Sequence, residues 1–267
     1  MALSRSQKPN NLVQTIERTS LILDILGQSP QGISIRDLSE KIKLPKGTTH
    51  RLVSSLAYFG YARQDSKTRN YFLGLKLVEL GNLLLSQLDL RKEAESFLRD
   101  LAERTKETVH MVFLDRGEIV YIDKVELDHN PAGLRMASRV GLRNPAHSSA
   151  VGKVLLSHLR EEELDDLIKE KGLPRRTGNT ITDLIQLKEH LRAVRNQGYA
   201  IDDEENEKGI RCVAAPIFNE AGKAVAAISI SGPAFRITKK VVLETLKKEV
   251  METAYHISQR LGYRERR

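Results

Sequence analysis

The stretch Leu44-Pro45-Lys46-Gly47-Thr48-Thr49-His50-Arg51 is the most informative in the first third of the chain. Pro45 has no N–H for a preceding helix and is pre-set for the first turn of a following one, so one helix ends here and another begins. Downstream, Leu52, Val53, Leu56 and Ala57 recur at helical spacing and predict an inner face. Lys46, Thr48, Thr49, Arg51 and Ser55 are expected on the other face, with His50 beside them. Upstream, Ser34 is placed to cap a short helix running through Leu38 and Ile42, with Asp37 near its positive end. Two short helices, a tight turn and a polar, basic face on the second describe a helix-turn-helix. In that motif the N-terminal part of the second helix reaches base edges in the major groove. Thr and Ser suit phosphates or thymine methyls, and Arg suits guanine. Arg36 joins the same set of candidate contacts.

Working outward, Asn11 to Gly27 predicts a first helix with Leu12, Val13, Ile16, Leu23 and Leu26 on one stripe. After Gly60 the period changes. Tyr61-Ala-Arg-Gln and Asn70-Tyr-Phe-Leu are short strands around a turn holding Lys67 and Arg69, the shape of a wing. A basic wing tip lies along phosphates or enters the minor groove; the other reading is ordinary solvated turn charge. Leu75 to Leu90 predicts a leucine-rich linker helix, which either packs on its own domain or helps to pair two subunits.

Charge agrees with this division. The 267 residues carry a net charge of +8, with 12 basic against 5 acidic residues up to Lys76 and a near balance of 31 to 30 beyond it. An excess of positive charge at one end is suited to a polyanion. Apolar residues at 40% and charged residues at 29% fit a globular chain with a core. No apolar run approaches a membrane span, and the first residues show no signal-peptide core, so a cytoplasmic protein is expected. The one cysteine, Cys212, excludes an intrachain disulfide and a cysteine-cluster metal site. The histidines lack metal spacing, and neither a phosphate loop nor a nucleophile elbow is present. An enzyme is therefore not expected, nor a cofactor or a metal.

The expected organisation is 1–74 DNA-binding domain, 75–90 linker helix and 91–267 second domain. In the second domain the pattern predicts a helix at Ala94 to Thr105 and strands near 108–114, 119–125, 133–140, 199–201, 210–218 and 223–231. Helices are predicted near 148–158, 161–171, 183–197 and 238–261. Hairpins beside helices argue an α+β domain with an antiparallel sheet. The turn Asn219-Glu-Ala-Gly222 would bring Cys212 opposite Ser229 or Ser231, clustering a thiol and hydroxyls on one face. Such a cluster is either a satisfied buried face or a small-ligand site. Asp202 to Glu205 is a run of four acids, either a solvated loop or one with a carboxylate turned inward. Ser149-Ala-Val-Gly-Lys153 begins a helix whose amides favour an anion; Lys153 either adds charge there or is a surface lysine.

These motifs together resemble the IclR family of bacterial transcriptional regulators. The resemblance rests on Leu44 to Leu52, Phe59-Gly60-Tyr61, Tyr71-Phe-Leu-Gly74, His147 to Lys153, Gly198-Tyr…Asp202…Glu205, Gly209 to Pro216 and Ala226 to Pro233. Within the family, Leu134 to Pro145 and the acidic run look closest to regulators of 2-keto-3-deoxygluconate and related sugar-acid catabolism. The resemblance implies a winged helix-turn-helix followed by a GAF-like effector-binding domain. It implies a homodimer or tetramer on a palindromic operator in double-stranded DNA. It carries an effector site onto Met136, Ala150, Val151, Asp202, Cys212, Ser229 and Ser231. The expected function is a repressor whose operator affinity responds to a small carboxylate or sugar acid; an activator and a ligand-independent architectural protein are the alternatives.

Overall fold

A computed structural model describes residues 11–86, 89–127 and 137–264. The chain divides into two compact units, Met1–Leu88 and Asp89–Arg267. The first contains α1 (Gln14–Gly27), α2 (Ile35–Ile42), α3 (Lys46–Tyr58), β1 (Ala62–Gln64), β2 (Tyr71–Leu73) and α4 (Lys76–Ser86). Ser34 Oγ caps α2 by accepting from the Asp37 N–H at 3.2 Å. Pro45 stands at the N-cap of α3. Gly60 follows its end at φ 78°, a left-handed conformation that glycine adopts without steric cost. Gly74 is required for contact: a Cβ there would lie 2.0 Å from the Gly60 carbonyl oxygen.

The core of this unit is built from Ile22, Ile25, Leu26, Leu38, Val53 and Leu56. The predicted stripe of α1 is therefore only partly the buried one. Leu12 and Val13 precede the helix, and with Ile16 they are exposed. Burial is confined to the second half of α1, where α2, α3 and β2 pack. β1 and β2 pair antiparallel, with Ala62 opposite Leu73, and Ile33 bridges Tyr71 as a further rung.

The second unit holds α5 (Asp89–Thr105), β3 (Thr108–Asp115), β4 (Glu118–Val125), β5 (Arg143–Pro145) and α6 (Ala150–Ser157). It continues with α7 (Glu161–Lys171), α8 (Leu184–Gln197), β6 (Ala200–Asp203), β7 (Ile210–Phe218) and β8 (Ala224–Pro233). It closes with α9 (Lys239–Val241), a π-helical turn (Val242–Leu246) and α10 (Lys247–Arg260). The strands form one sheet in the order β5-β4-β3-β8-β7-β6, every neighbouring pair antiparallel. Alternation sends Val112, Ala214 and Ala227 to the side where α6 packs, with α8 against α6. Met111, Val213, Ile228 and Ile230 point the other way; α5 and α10 pack on one another and on the strands.

The α+β architecture expected from the sequence is the one observed. Three predicted elements differ. The predicted helices 75–90 and 94–105 are instead α4, ending at Ser86, and α5, starting at Asp89. Apolar spacing alone puts the start at Ala94, but an acidic residue favours the first turn of a helix. The predicted strand 133–140 lies largely outside the described residues, and Ala137 to Val140 form no strand. The edge strand is Arg143–Pro145, where a proline without an N–H ends the ladder.

Candidate nucleic-acid interface and buried cavity

On α3 the buried residues are Thr49, Val53 and Leu56. Thr49, expected on the outer face, is fully buried and its Oγ1 donates to the Pro45 carbonyl oxygen at 3.2 Å. The reason is helical phase: Thr49 lies four residues before Val53 and seven before Leu56, on the same stripe. Lys46, His50, Arg51 and Ser55 are exposed and Thr48 is half-buried. Ser55 Oγ donates back to the Arg51 carbonyl oxygen. The outward arc at spacings of three and four also carries Gly47, Ser54 and Tyr58, which side-chain chemistry alone did not single out. A Cβ at Gly47 would meet open space, so the backbone at the start of this helix is accessible. Arg36 is exposed and held by Glu40 at 3.1 Å.

The wing turn is organised by Asp65. Its Oδ1 accepts from the Lys67 and Thr68 N–H groups and from Thr68 Oγ1 at 2.8–3.1 Å. Those bonds favour the charged form and push its pKa down. Lys67 and Arg69 are exposed at the tip, Arg69 at φ 59°. Arg63 lies over the Phe72 ring at 4.4 Å, on the strands behind them.

In the second unit the register aligns polar groups across four strands. Asp202 pairs with Cys212, and Cys212 with Ser231 rather than Ser229. Two positions along, Ala214 pairs with Ser229 and Ser229 with His110. These side chains share one face, and the start of α6 stands over it. Together they enclose a cavity of about 230 Å³, whose lining includes Ala150, Val151, Asp202, Cys212, Ser229 and Ser231. Met136 lies outside the described residues. The sequence reading missed His110, Tyr121, Ser138, Asn144, Arg176 and Asn206, which also line it. His110 carried a signal, since it sits mid-strand on the side of the sheet that the paired hydroxyls share; Arg176 carried none.

Three groups in the cavity, His110, Tyr121 and Cys212, are held in their neutral forms. Burial, and then the Lys124 charge, push the His110 imidazole down to about 3. Its Nδ1 lies 3.3 Å from Ser231 Oγ and its Nε2 2.7 Å from Ser138 Oγ. Burial pushes the Tyr121 phenol up to about 12, and burial also raises the Cys212 thiol. Asp202 is nearly fully buried. Desolvation drives its carboxyl up to about 7, against the opposing pull of Lys153 and of the Glu205 and Asn206 amides. Both amides donate to Oδ1, at 2.7 and 3.2 Å. A neutral or proton-sharing carboxyl beside two serines, a thiol and an imidazole both donates to and accepts from hydroxyl groups.

Lys153 is not on the surface. It is fully buried, and its Nζ lies 2.5 Å from both Glu205 Oε1 and the Ile201 carbonyl oxygen. Gly152 beside it has its Cα against Ala146, where a Cβ would come within 2.1 Å of the carbonyl oxygen. These contacts fix the start of α6 over the sheet. Its first turn leaves Ser149 Oγ capping the Gly152 N–H. Among the described residues no cluster suited to a metal ion occurs, and no helix is long and apolar enough to cross a membrane.

A winged helix-turn-helix joined to a second unit with a polar-floored cavity defines a DNA-binding regulator with an effector domain. The chain belongs to the IclR family: residues 15–66 match the IclR helix-turn-helix domain, and residues 82–259 the bacterial transcriptional regulator IclR C-terminal domain. It is 37% identical over 265 residues to the HTH-type transcriptional regulator KdgR of Dickeya chrysanthemi, covering 99% of this chain and 85% of that one. It is 36% identical to the transcriptional repressor IclR of Escherichia coli, over 87% of this chain and 84% of the other. The crystal structure of the Thermotoga maritima IclR superposes with a TM-score of 0.74 at 36% identity, covering 94% and 99%. The protein is therefore a DNA-binding transcriptional regulator and not an enzyme.

Proposed function

We propose that this regulator represses a sugar-acid catabolic operon, and that a small carboxylate such as 2-keto-3-deoxygluconate enters the cavity and alters its affinity for the operator. The observation that carries the reading is the cavity itself. The six described residues that the family resemblance assigns to the effector come from α6, β6, β7 and β8, and all line one enclosed space. Its floor of Asp202, Cys212, Ser229, Ser231 and His110 suits a ligand rich in hydroxyls. The first amides of α6 suit its carboxylate. Likeness to a regulator named KdgR and the 134–145 and 202–207 passages support a sugar acid.

Exposed Lys46, His50, Arg51, Lys67 and Arg69 form the proposed DNA contacts, with Thr48 and Ser55 beside them and Arg36 on the backbone. A second copy is the proposed cover for Leu12, Val13 and Ile16 ahead of and on α1, and for Leu75, Val78 and Leu84 around α4, all exposed apolar residues. A homodimer, or a tetramer made from two, would match a palindromic operator in the cytoplasm. Affinity for a fragment of the promoter should fall steeply with salt, as phosphate contacts release counterions. A thermal-shift screen of sugar acids and small keto acids should find a stabilising ligand. Salt-insensitive DNA binding, or a screen without a single hit, would contradict this reading.

A further inference from the structure

Arg176 sits in the irregular segment between α7 and α8, outside every motif that carries the family resemblance. It lines the cavity and is exposed to solvent, which puts it at the cavity's rim. The other cations near the cavity are already committed. Lys153 is bonded to Glu205 and the Ile201 carbonyl oxygen. Lys124 donates to the Ser138 carbonyl oxygen and pairs with Glu126 at 3.0 Å. Among the described residues, the Arg176 guanidinium has neither a hydrogen bond nor an ion pair.

Its backbone is nevertheless held in place. The Arg176 and Thr177 N–H groups both donate to Thr180 Oγ1, at 3.0 and 2.8 Å. The segment is fastened to the acidic loop by Thr177 Oγ1 on the Glu204 carbonyl oxygen, Thr180 Oγ1 on that of Glu205 and Asn179 Nδ2 on that of Asp203, at 2.7–3.0 Å. An arginine held at its backbone, with a solvent-facing head that no protein group engages, is free to grip a planar anion through two parallel N–H donors. Burial pushes the pKa of His147 down, and the nearby Lys153 and Arg176 charges add to this. Arg176 thus lies near His147, just ahead of α6, whereas Asp202 lines the same cavity and is almost fully buried.

We propose that Arg176 is an effector-binding residue that takes the carboxylate of a hydroxy acid at the cavity mouth, so that the hydroxyl-bearing end points inward to Asp202, Ser229, Ser231 and His110. The assignment rests on the reading of the cavity as an acid-binding site. It defines the ligand class as a monocarboxylate with hydroxyls on the carbons remote from the acid group. A second carboxylate at the inner end would meet Asp202 in a poorly solvated place.

The test is calorimetric titration of the full chain with 2-keto-3-deoxygluconate and with its carboxamide, on the wild type, Arg176→Gln and Arg176→Lys. The wild type should prefer the acid to the amide by about tenfold or more. Arg176→Gln should abolish that preference by weakening the acid alone, and Arg176→Lys should restore part of it. Unchanged affinity for the acid in Arg176→Gln, an equal loss for acid and amide, or no preference in the wild type overturns the role of Arg176 while leaving the cavity as the ligand site. A wild-type protein that binds neither 2-keto-3-deoxygluconate nor any other carboxylate overturns the cavity reading and this assignment with it.

Discussion

Replacing Lys153 by methionine removes one end of a buried ion pair while keeping most of the side-chain volume. The lysine is fully buried, and the Glu205 side chain is 8% exposed. Glu205 Oε2 already has no partner among the described residues, and the substitution would strip Oε1 of its ammonium donor as well. The Ile201 carbonyl oxygen loses the same donor. Breaking a buried pair from one side costs about 3–5 kcal/mol, because the remaining charge is stranded. The loss has a ceiling, since a stranded carboxylate takes up a proton instead; from the ordinary glutamate range that costs about 4 kcal/mol at pH 7.5. The expected loss is therefore about 3–4 kcal/mol at pH 7.5, shrinking to about 2 kcal/mol at pH 5.5. For a unit of this size it corresponds to a fall in Tm of roughly 6–16 °C at the higher pH. Thermal unfolding followed by circular dichroism at both pH values reads it. The double substitution Lys153→Met with Glu205→Gln should be more stable than Lys153→Met alone. A fall below about 2 °C at pH 7.5, or a double variant as unstable as the sum of the singles, would refute the stranded-charge reasoning.

Three further outcomes follow from the structure. Asp202 has a raised pKa, about 7, so the folded state holds a proton that the unfolded chain has released, and this group's contribution favours folding at low pH and is lost as pH rises from about 4 to 7. The difference in stability between Asp202→Asn and the wild type should accordingly grow in favour of the variant across that window, as chemical denaturation at several pH values would show; a flat difference contradicts the assignment. His110 works in the opposite sense, since its lowered pKa costs stability as pH falls from about 6.5 to 3, and only the difference between variants isolates Asp202. Thr49→Val should leave operator affinity within about twofold and stability within about 1 kcal/mol, since it removes one hydrogen bond from a buried site. A large loss of DNA binding with normal folding would return Thr49 to the interface. Arg51→Ala should weaken binding to the operator more than to random DNA, whereas Lys67→Ala should weaken both and flatten the salt slope by about one ion. Parallel behaviour of the two variants in anisotropy titrations would reject the division of roles between helix and wing.

Much of this architecture is legible in the sequence because its signals are local. The proline at 45, the glycine at 60 and the changes of period mark α2, α3 and the wing strands. The Asn219 to Gly222 turn comes close to fixing the β7–β8 register, leaving open only which serine faces Cys212. What escaped detection depends on non-local packing. Thr49 is polar by composition and buried by phase. Lys153 follows small residues at the start of a helix, and nothing nearby in sequence announces that Glu205, 52 positions later, will pair with it. Leu12, Val13 and Ile16 have helical spacing but lie beyond the reach of α2 and β2, so periodicity alone assigns them to a core they do not join. His110 reaches the cavity because β3 pairs with β8, a contact between segments more than a hundred residues apart. Arg176 belongs to a segment with neither period nor motif; its place follows from threonine and asparagine bonds to the acidic loop.

On the proposed reading, the cavity in the second unit governs DNA binding by the first. Operator affinity measured by fluorescence anisotropy at fixed salt, with and without saturating 2-keto-3-deoxygluconate, for the wild type and for Ser229→Ala, reads this coupling. The expected result is a shift of about 5–150-fold in the wild-type Kd, with unchanged ligand-free affinity and a lost or much reduced shift in the variant. Equal wild-type affinity with and without a ligand that demonstrably binds the protein would contradict it.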